Sequence, residues 1–209
     1  MSPPDVAEPD VPAVPARERI LGAAYELFSR RGIRAVGTDE VIERAGVARA
    51  TLYRHFAAKD DLVLAVLDRR EQLWTHGLIE KQSASLGSTP EAQLLAIFDV
   101  MHTWFQNRDG YEGCSFINVL LELGADHPAG QASIAHIDNV RQIVRERAVA
   151  AGLIDVEDFA WSWHILMKGS IILAAVGDPD AALRAKAMAV GLIEQHRPQD
   201  SREVGEAVS

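Results

Sequence analysis

Gly46 separates two short stretches that each carry the pattern of an amphipathic helix, and this spacing constrains the chain more than any other feature. Thr38 is expected to cap the first stretch, with Asp39 and Glu40 in the first turn, where the helix dipole favours acids. Val41, Ile42 and Ala45 supply its buried face. Gly46 ends it, because glycine tolerates the left-handed backbone a sharp turn demands. Val47 can plug the angle that follows, and a second helix is expected from about Ala48 to His55. Short helix, glycine turn, short helix is the spacing of a helix-turn-helix.

At about 100° per residue, Ala48, Leu52 and Phe56 of the second helix share an inward face, and Ala50, Tyr53 and Arg54 point outward. Arg49 lies on the flank of the first turn, with a side chain long enough to reach a base edge. Ala50 is small enough to let the helix enter a groove and meet a thymine methyl. Thr51 and His55 are i, i+4 neighbours on the opposite flank, suited to phosphate oxygens. Lys59 opens the next helix, where the macrodipole disfavours a cation. It fits better with a phosphate at that N-terminus, the alternative being a solvated lysine flanked by Asp60 and Asp61.

The rest of the chain also reads as helix. Arg17 to Arg31 carries the stripe Ile20, Leu21, Ala24, Leu27 and Phe28, and Gly32 stops it. Thr89-Pro90-Glu91 and Asp178-Pro179-Asp180 each read as cap, proline at the first helical position, then acid. Longer helices are expected over roughly 59–82, 90–107, 115–125, 128–151, 156–176 and 179–196, with no convincing strand. Nine helices make an all-α chain: a three-helix helix-turn-helix domain at 17–62 and a helical domain at 63–196, with the boundary inside the fourth helix. The five prolines among the first sixteen residues point to a disordered tail at 1–16, and a second flexible tail is expected at 197–209.

A net charge of −9 argues, taken alone, against a nucleic-acid binder. Counted by segment, residues 17–70 hold eleven Lys/Arg against eight Asp/Glu, whereas residues 71–209 hold ten against nineteen. Counterion release is local to the contact surface, so a small basic module can bind DNA on an acidic protein. Cys114 is the one cysteine, which leaves no intramolecular disulfide and fits a reducing cytoplasm. Met1 to Ala16 lacks the basic and apolar regions of a signal peptide. Phe159 to Val176 is apolar nearly all round, but His164 and Lys168 interrupt it. A buried or interface helix is expected there, with no membrane partner.

The stretches Ile20-Leu-Gly-Ala-Ala-Tyr-Glu-Leu-Phe-Ser-Arg-Arg-Gly32, Ala45-Gly-Val, Thr51-Leu-Tyr-Arg-His-Phe56 and Lys59-Asp-Asp-Leu62 closely resemble the N-terminal pattern of the tetracycline-repressor-like (TetR) family. The remainder resembles it only in architecture, as a helical ligand-binding and dimerisation domain. The resemblance implies phosphate contacts from Thr38, Thr51, Tyr53, His55 and Lys59, and base contacts from Arg49, Ala50 and Tyr53. Where a family member has a basic residue after the capping threonine, that residue can read a base. Asp39 and Glu40 cannot do so in the same way, which shifts specificity onto Arg49. The resemblance further implies a cytoplasmic homodimer joined through its last two helices. Its partners would be a double-stranded operator and a small-molecule effector whose binding changes the spacing of the two DNA-reading heads.

The effector pocket is poorly specified. Trp104, Phe105, Phe116, Trp161, Trp163 and Met167 have a spacing that serves an apolar cavity and a plain core equally. His102, Asn118, Glu122, His164 and Lys168 are candidate orienting groups, and Cys114 reads as a small buried hydrophobe or a pocket residue. The histidines form no i, i+4 pair, no nucleotide or hydrolase fingerprint occurs, and no metal, cofactor or enzymatic activity is expected. Two other readings stay open: a helical small-molecule carrier or enzyme with a non-functional DNA module, and a transcriptional activator.

Overall fold

A computed structural model describes residues 14–106 and 113–199. The two tails expected at 1–16 and 197–209 lie outside the described residues except for 14–16 and 197–199. The described chain is all-α, with nine helices. The first three are α1 (Ala16–Arg31), α2 (Thr38–Ala45) and α3 (Arg49–His55). The fourth, α4, is one rod in three stretches: Lys59–Arg70, Glu71–Gln82 and Ser83–Leu86. After it come α5 (Pro90–Gln106), α6 (Ser115–Leu123), α7 (Pro128–Ala150), α8 (Val156–Ala175) and α9 (Ala181–Gln195).

The apolar stripe of α1 buries as its periodicity predicts: Ile20, Leu21, Ala24 and Phe28 pack with Val41, Leu52, Phe56 and Leu62 in the head formed by α1–α3 and the start of α4. Two polar clamps hold α2 on α1. The Arg19 guanidinium donates to the carbonyls of Ala45 and Gly46 at 3.1 and 3.0 Å, satisfying oxygens that α2 leaves open at its C-terminus. Arg44 makes a two-pronged pair with Glu26 at 2.9 Å on each prong.

Several helix starts differ from the sequence expectation for local reasons. Thr38 is not a cap. Gly37 holds that position, its N–H donating to Glu40 at 3.1 Å, and Thr38 is the first helical residue with its hydroxyl free for other use. α9 starts at Ala181 rather than 179. Asp178 accepts from the Asp180 amide at 3.0 Å, and this turn holds the chain out of the helix for two more residues. Thr89 does cap α5, accepting from the Ala92 amide at 3.2 Å.

The sequence predicts plain α-helix across 59–82, yet Glu71–Gln82 is wound with π-type hydrogen bonding. Carbonyls toward the end of α4 are met by Arg147 of α7, which is buried. Its guanidinium donates to the Ile79, Glu80 and Gln93 carbonyls at 3.3, 2.7 and 3.0 Å and to the Ser83 hydroxyl at 2.7 Å. It faces no carboxylate in these bonds; the negative end of a helix takes that place. Desolvation lowers its pKa from the usual arginine value, and a guanidinium still keeps its proton.

In α8, Phe159, Trp163, Met167 and Ile171 are buried while Trp161, Ile165 and Ile172 are exposed, as is Val176 just past its end. No helix among the described residues is long and apolar enough to cross a membrane. Replacing Arg147 with Leu strands four acceptors at the α4–α5–α7 junction. It is expected to cost about 3 kcal/mol of stability in urea denaturation, with only partial recovery in Arg147→Lys, whose ammonium lacks the planar fork.

Candidate nucleic-acid interface

The corner made by α2 and α3 depends on Gly46, which adopts a left-handed conformation (φ 61°, ψ 44°) and donates its N–H back to Glu43. Val47 follows, packed against the core, and its amide reaches the Ile42 carbonyl. The chain then enters α3 with Leu52 and Phe56 inward, 1% and 4% exposed. Ala48 does not join them. It is the extended residue before the first turn of α3 and lies exposed, so the inward stripe is one residue shorter than the periodicity suggests.

Ala50, Tyr53, Arg54 and His55 are exposed, and Thr51 is half-buried. Arg49 is exposed in the first turn of α3 and pairs with Asp39 of α2. The Thr38 hydroxyl and the Tyr53 phenol lie 3.2 Å apart, so these two predicted phosphate ligands form one hydroxyl pair bridging α2 and α3. Thr38, Arg49 and Tyr53 thus share the α2–α3 edge, and Ala50, Arg54 and His55 stand on the open part of α3. The acidic side chain at 39, read from the sequence as a first-turn acid and an absent base reader, is the direct partner of the arginine. The missed signal was geometric: residues ten apart across a tight turn lie side by side.

Lys59 departs from both sequence readings. It is neither solvated nor presented bare at a helix N-terminus: its ammonium donates to the Ile33 carbonyl in the α1–α2 loop. The open N-terminus of α4 is met instead by Asp61, which accepts from the Ala58 amide at 2.9 Å.

Glu122, a pocket candidate on sequence grounds, reaches from α6 into the head. Its carboxylate accepts from the Ile33 amide at 2.9 Å and the Arg34 amide at 2.6 Å. Gly32 makes this approach possible. Its φ is 83°, and a Cβ there would sit 3.1 Å from the carboxylate oxygens. Beside this contact a cavity of 220 Å³ opens between α1, α4 and α6, and Asn118 and Glu122 line it.

The other pocket candidates are not gathered round one cavity. Phe105, Phe116, Trp163 and Met167 are core residues at 4% exposure or less. Trp163 packs on Phe98 and Phe159 with ring centroids 5.1 and 5.3 Å away. Trp104 meets Trp74 edge-on at 5.7 Å. His102 is half-buried on α5, with Nδ1 enclosed and without a hydrogen bond among the described residues. Cys114 is buried with the Lys168 ammonium 3.6 Å from its sulfur. His164 is buried with neither ring nitrogen hydrogen-bonded among the described residues, and Trp161 stacks under Arg141 with 3.8 Å to the ring centroid. No group of three or more candidate metal ligands occurs among the described residues.

Burial, reinforced by Lys168 and Arg141, pushes the His164 imidazole down to about 3. The unfolded chain takes up a proton there below about pH 6.5 while the folded chain does not. Stability is therefore lost as pH falls through that window, by roughly 2 kcal/mol between about pH 7 and about pH 5. In His164→Leu, the midpoint of chemical denaturation is expected to depend less on pH over this range.

Residues 20–66 match the model of bacterial regulatory proteins of the tetR family. The transcriptional activator FasR of Mycolicibacterium smegmatis is 51% identical over 53 residues, 25% of this chain and 24% of that protein. The transcriptional repressor ComR of Escherichia coli is 29% identical over 141 residues, 66% of this chain and 63% of that protein. The matches thus span between about a quarter and just under two thirds of these curated relatives. A TetR-family regulator of Streptomyces coelicolor, known from its crystal structure, is 28% identical, with a TM-score of 0.80 over 88% of this chain and 96% of that one. The head at residues 20–66 thus matches the model of bacterial regulatory proteins of the tetR family, and the helical architecture is shared with that TetR-family regulator.

Proposed function

We propose that this chain is a ligand-responsive DNA-binding transcriptional regulator, a repressor released from a palindromic operator by a small-molecule effector, and not an enzyme. The observation that carries the reading is the exposed corner of α3. It presents a guanidinium, a methyl group, a phenol and an imidazole at Arg49, Ala50, Tyr53 and His55, on a head with more basic than acidic residues inside an acidic chain. Arg49 reads a base edge, and Ala50 lets the helix settle into the major groove. Thr38 and Tyr53 grip phosphate as a pair, with Thr51 and His55 on the other side. Arg54 adds charge on the open face. Lys59 acts chiefly by bracing the α1–α2 loop.

A symmetric operator calls for two heads. The exposed stripe Trp161, Ile165 and Ile172 on α8, with Val176 just past its end and Met188 on α9, is the apolar face that joins two copies in the cytoplasm. Such a dimer reads half-sites about 34–36 Å apart, or a multiple of that. An activator is the second reading, favoured by FasR, a transcriptional activator that is 51% identical over 53 residues.

Titration of the operator at several salt concentrations tests the DNA reading, with an expected steep negative slope of affinity against salt. Arg49→Ala is expected to lose about 1–3 kcal/mol of discrimination at one base position. Asp39→Asn, by removing an acid at the groove, is expected to tighten binding to all sequences. Sedimentation of Ile165→Glu is expected to show a monomer with weakened operator binding. Unchanged affinity and unchanged discrimination in Arg49→Ala would remove the assigned base contact.

A further inference from the structure

The cavity between the head and the body has a composition suited to a ligand. Its apolar walls are built from Phe28 of α1, Val63 and Leu67 of α4 and Val119 of α6, with Ser29, Ser115 and Asn118 among the polar lining residues. Two charged residues line it, Arg70 and Glu122. The two carboxylate oxygens of Glu122 are each engaged by a backbone amide of the α1–α2 loop. Arg70 is half-buried and stacks on two rings, 5.4 Å from the centroid of Tyr25 and 5.5 Å from that of Trp104. Both rings engage the guanidinium from short range, and no acidic side chain pairs with it among the described residues.

A guanidinium held by rings at the edge of this cavity and paired with no acid, while the Glu122 oxygens are taken by backbone amides, is a preformed receptor for a carboxylate. The volume of 220 Å³ sets the size of the rest of the ligand, since a cavity of about 150 Å³ already holds a benzene ring. We propose that this interdomain cavity is the effector site and takes a small carboxylic acid with a compact apolar body, such as a one-ring aromatic acid, its carboxylate on Arg70 and its body between Phe28, Val63, Leu67 and Val119. The proposal rests on the regulator reading above and names the ligand class and the route of its effect.

The route follows from the cavity's neighbours. Ile33 lines the cavity, its amide is held by Glu122 of α6 and its carbonyl by Lys59 of α4. A body inserted between α1 and α6 bears on the peptide unit that ties the head to α6. Lys59 opens the helix directly after α3, so displacement of Ile33 is passed to the DNA-reading corner. The ligand shifts the equilibrium by the difference in its affinity for the clasped and opened arrangements.

The test uses the full chain and two measurements on the same preparations: DNA binding without ligand, and tryptophan fluorescence during titration with benzoate, phenylacetate and, as a neutral control, benzyl alcohol. Trp104 on Arg70 serves as the reporter. Saturable binding of at least one acid, with benzyl alcohol much weaker, is expected. Arg70→Gln is expected to weaken the acid at least about tenfold, and Val119→Phe to block it by filling the cavity. Arg69→Gln, whose native partner is Glu18 outside the cavity, should bind as the unmodified chain does. Glu122→Gln should still bind the acid while its DNA affinity responds less to it. No saturable binding by either acid at millimolar concentration, or binding unchanged in both Arg70→Gln and Val119→Phe, overturns the proposal. If DNA binding is intact in that case, this inference alone fails; if the chain binds no DNA without ligand, the regulator reading fails.

Discussion

The α1–α2 loop of the head is tied to the body at Ile33 and Arg34. The Ile33 amide is held by a carboxylate of α6 and the Ile33 carbonyl by an ammonium of α4, so a single loop residue takes load from both sides. Ionic groups bonded to backbone give shorter and stronger hydrogen bonds than neutral pairs do. A side-chain-to-side-chain bridge between two domains can swing; a carboxylate gripping two successive amides fixes direction as well as distance. The left-handed Gly32 just before it is the geometric condition, since its missing Cβ leaves the space that the Glu122 oxygens fill. The helix stop and the interdomain contact are therefore one feature, achieved by one residue.

The α2–α3 corner was largely legible in the sequence because its determinants are local. The left-handed turn at Gly46, the inward Leu52 and Phe56, and the outward Ala50, Tyr53 and Arg54 all follow from helical phase and one glycine. The errors there were errors of one residue. Thr38 yields the cap to Gly37, and Ala48 stays outside the helix it precedes. What the sequence left dark was non-local. Glu122 lies 89 positions from Ile33, and no periodicity connects them. The same holds for Arg147, whose four acceptors are spread over α4 and the start of α5.

The candidate pocket shows the same division from the opposite side. Aromatic residues at helical spacing were offered as cavity walls, and most proved to be core: Trp163, Phe116 and Phe105 are filled round by other side chains. The cavity between head and body takes its apolar walls from Phe28 of α1, Val63, Val66 and Leu67 of α4 and Val119 of α6, each of which also reads as packing in its own helix. A void comes from how three helices fail to close against one another. The polar residues were better guides, because an enclosed charge needs a partner or a purpose. Asn118 and Glu122, picked for their chemistry, do line it.

The Arg49–Asp39 pair bears on how such a protein would travel along a chromosome. An arginine already satisfied by its own carboxylate gains little from a stray phosphate, so wrong sites would hold it only briefly. On the proposed role of Arg49 as a base reader, exchanging that carboxylate for the paired acceptors of a guanine would be a trade between two good partners, favourable only where the base is correct. The internal acid would thus act as a decoy carried by the protein itself, giving up some grip for a faster search.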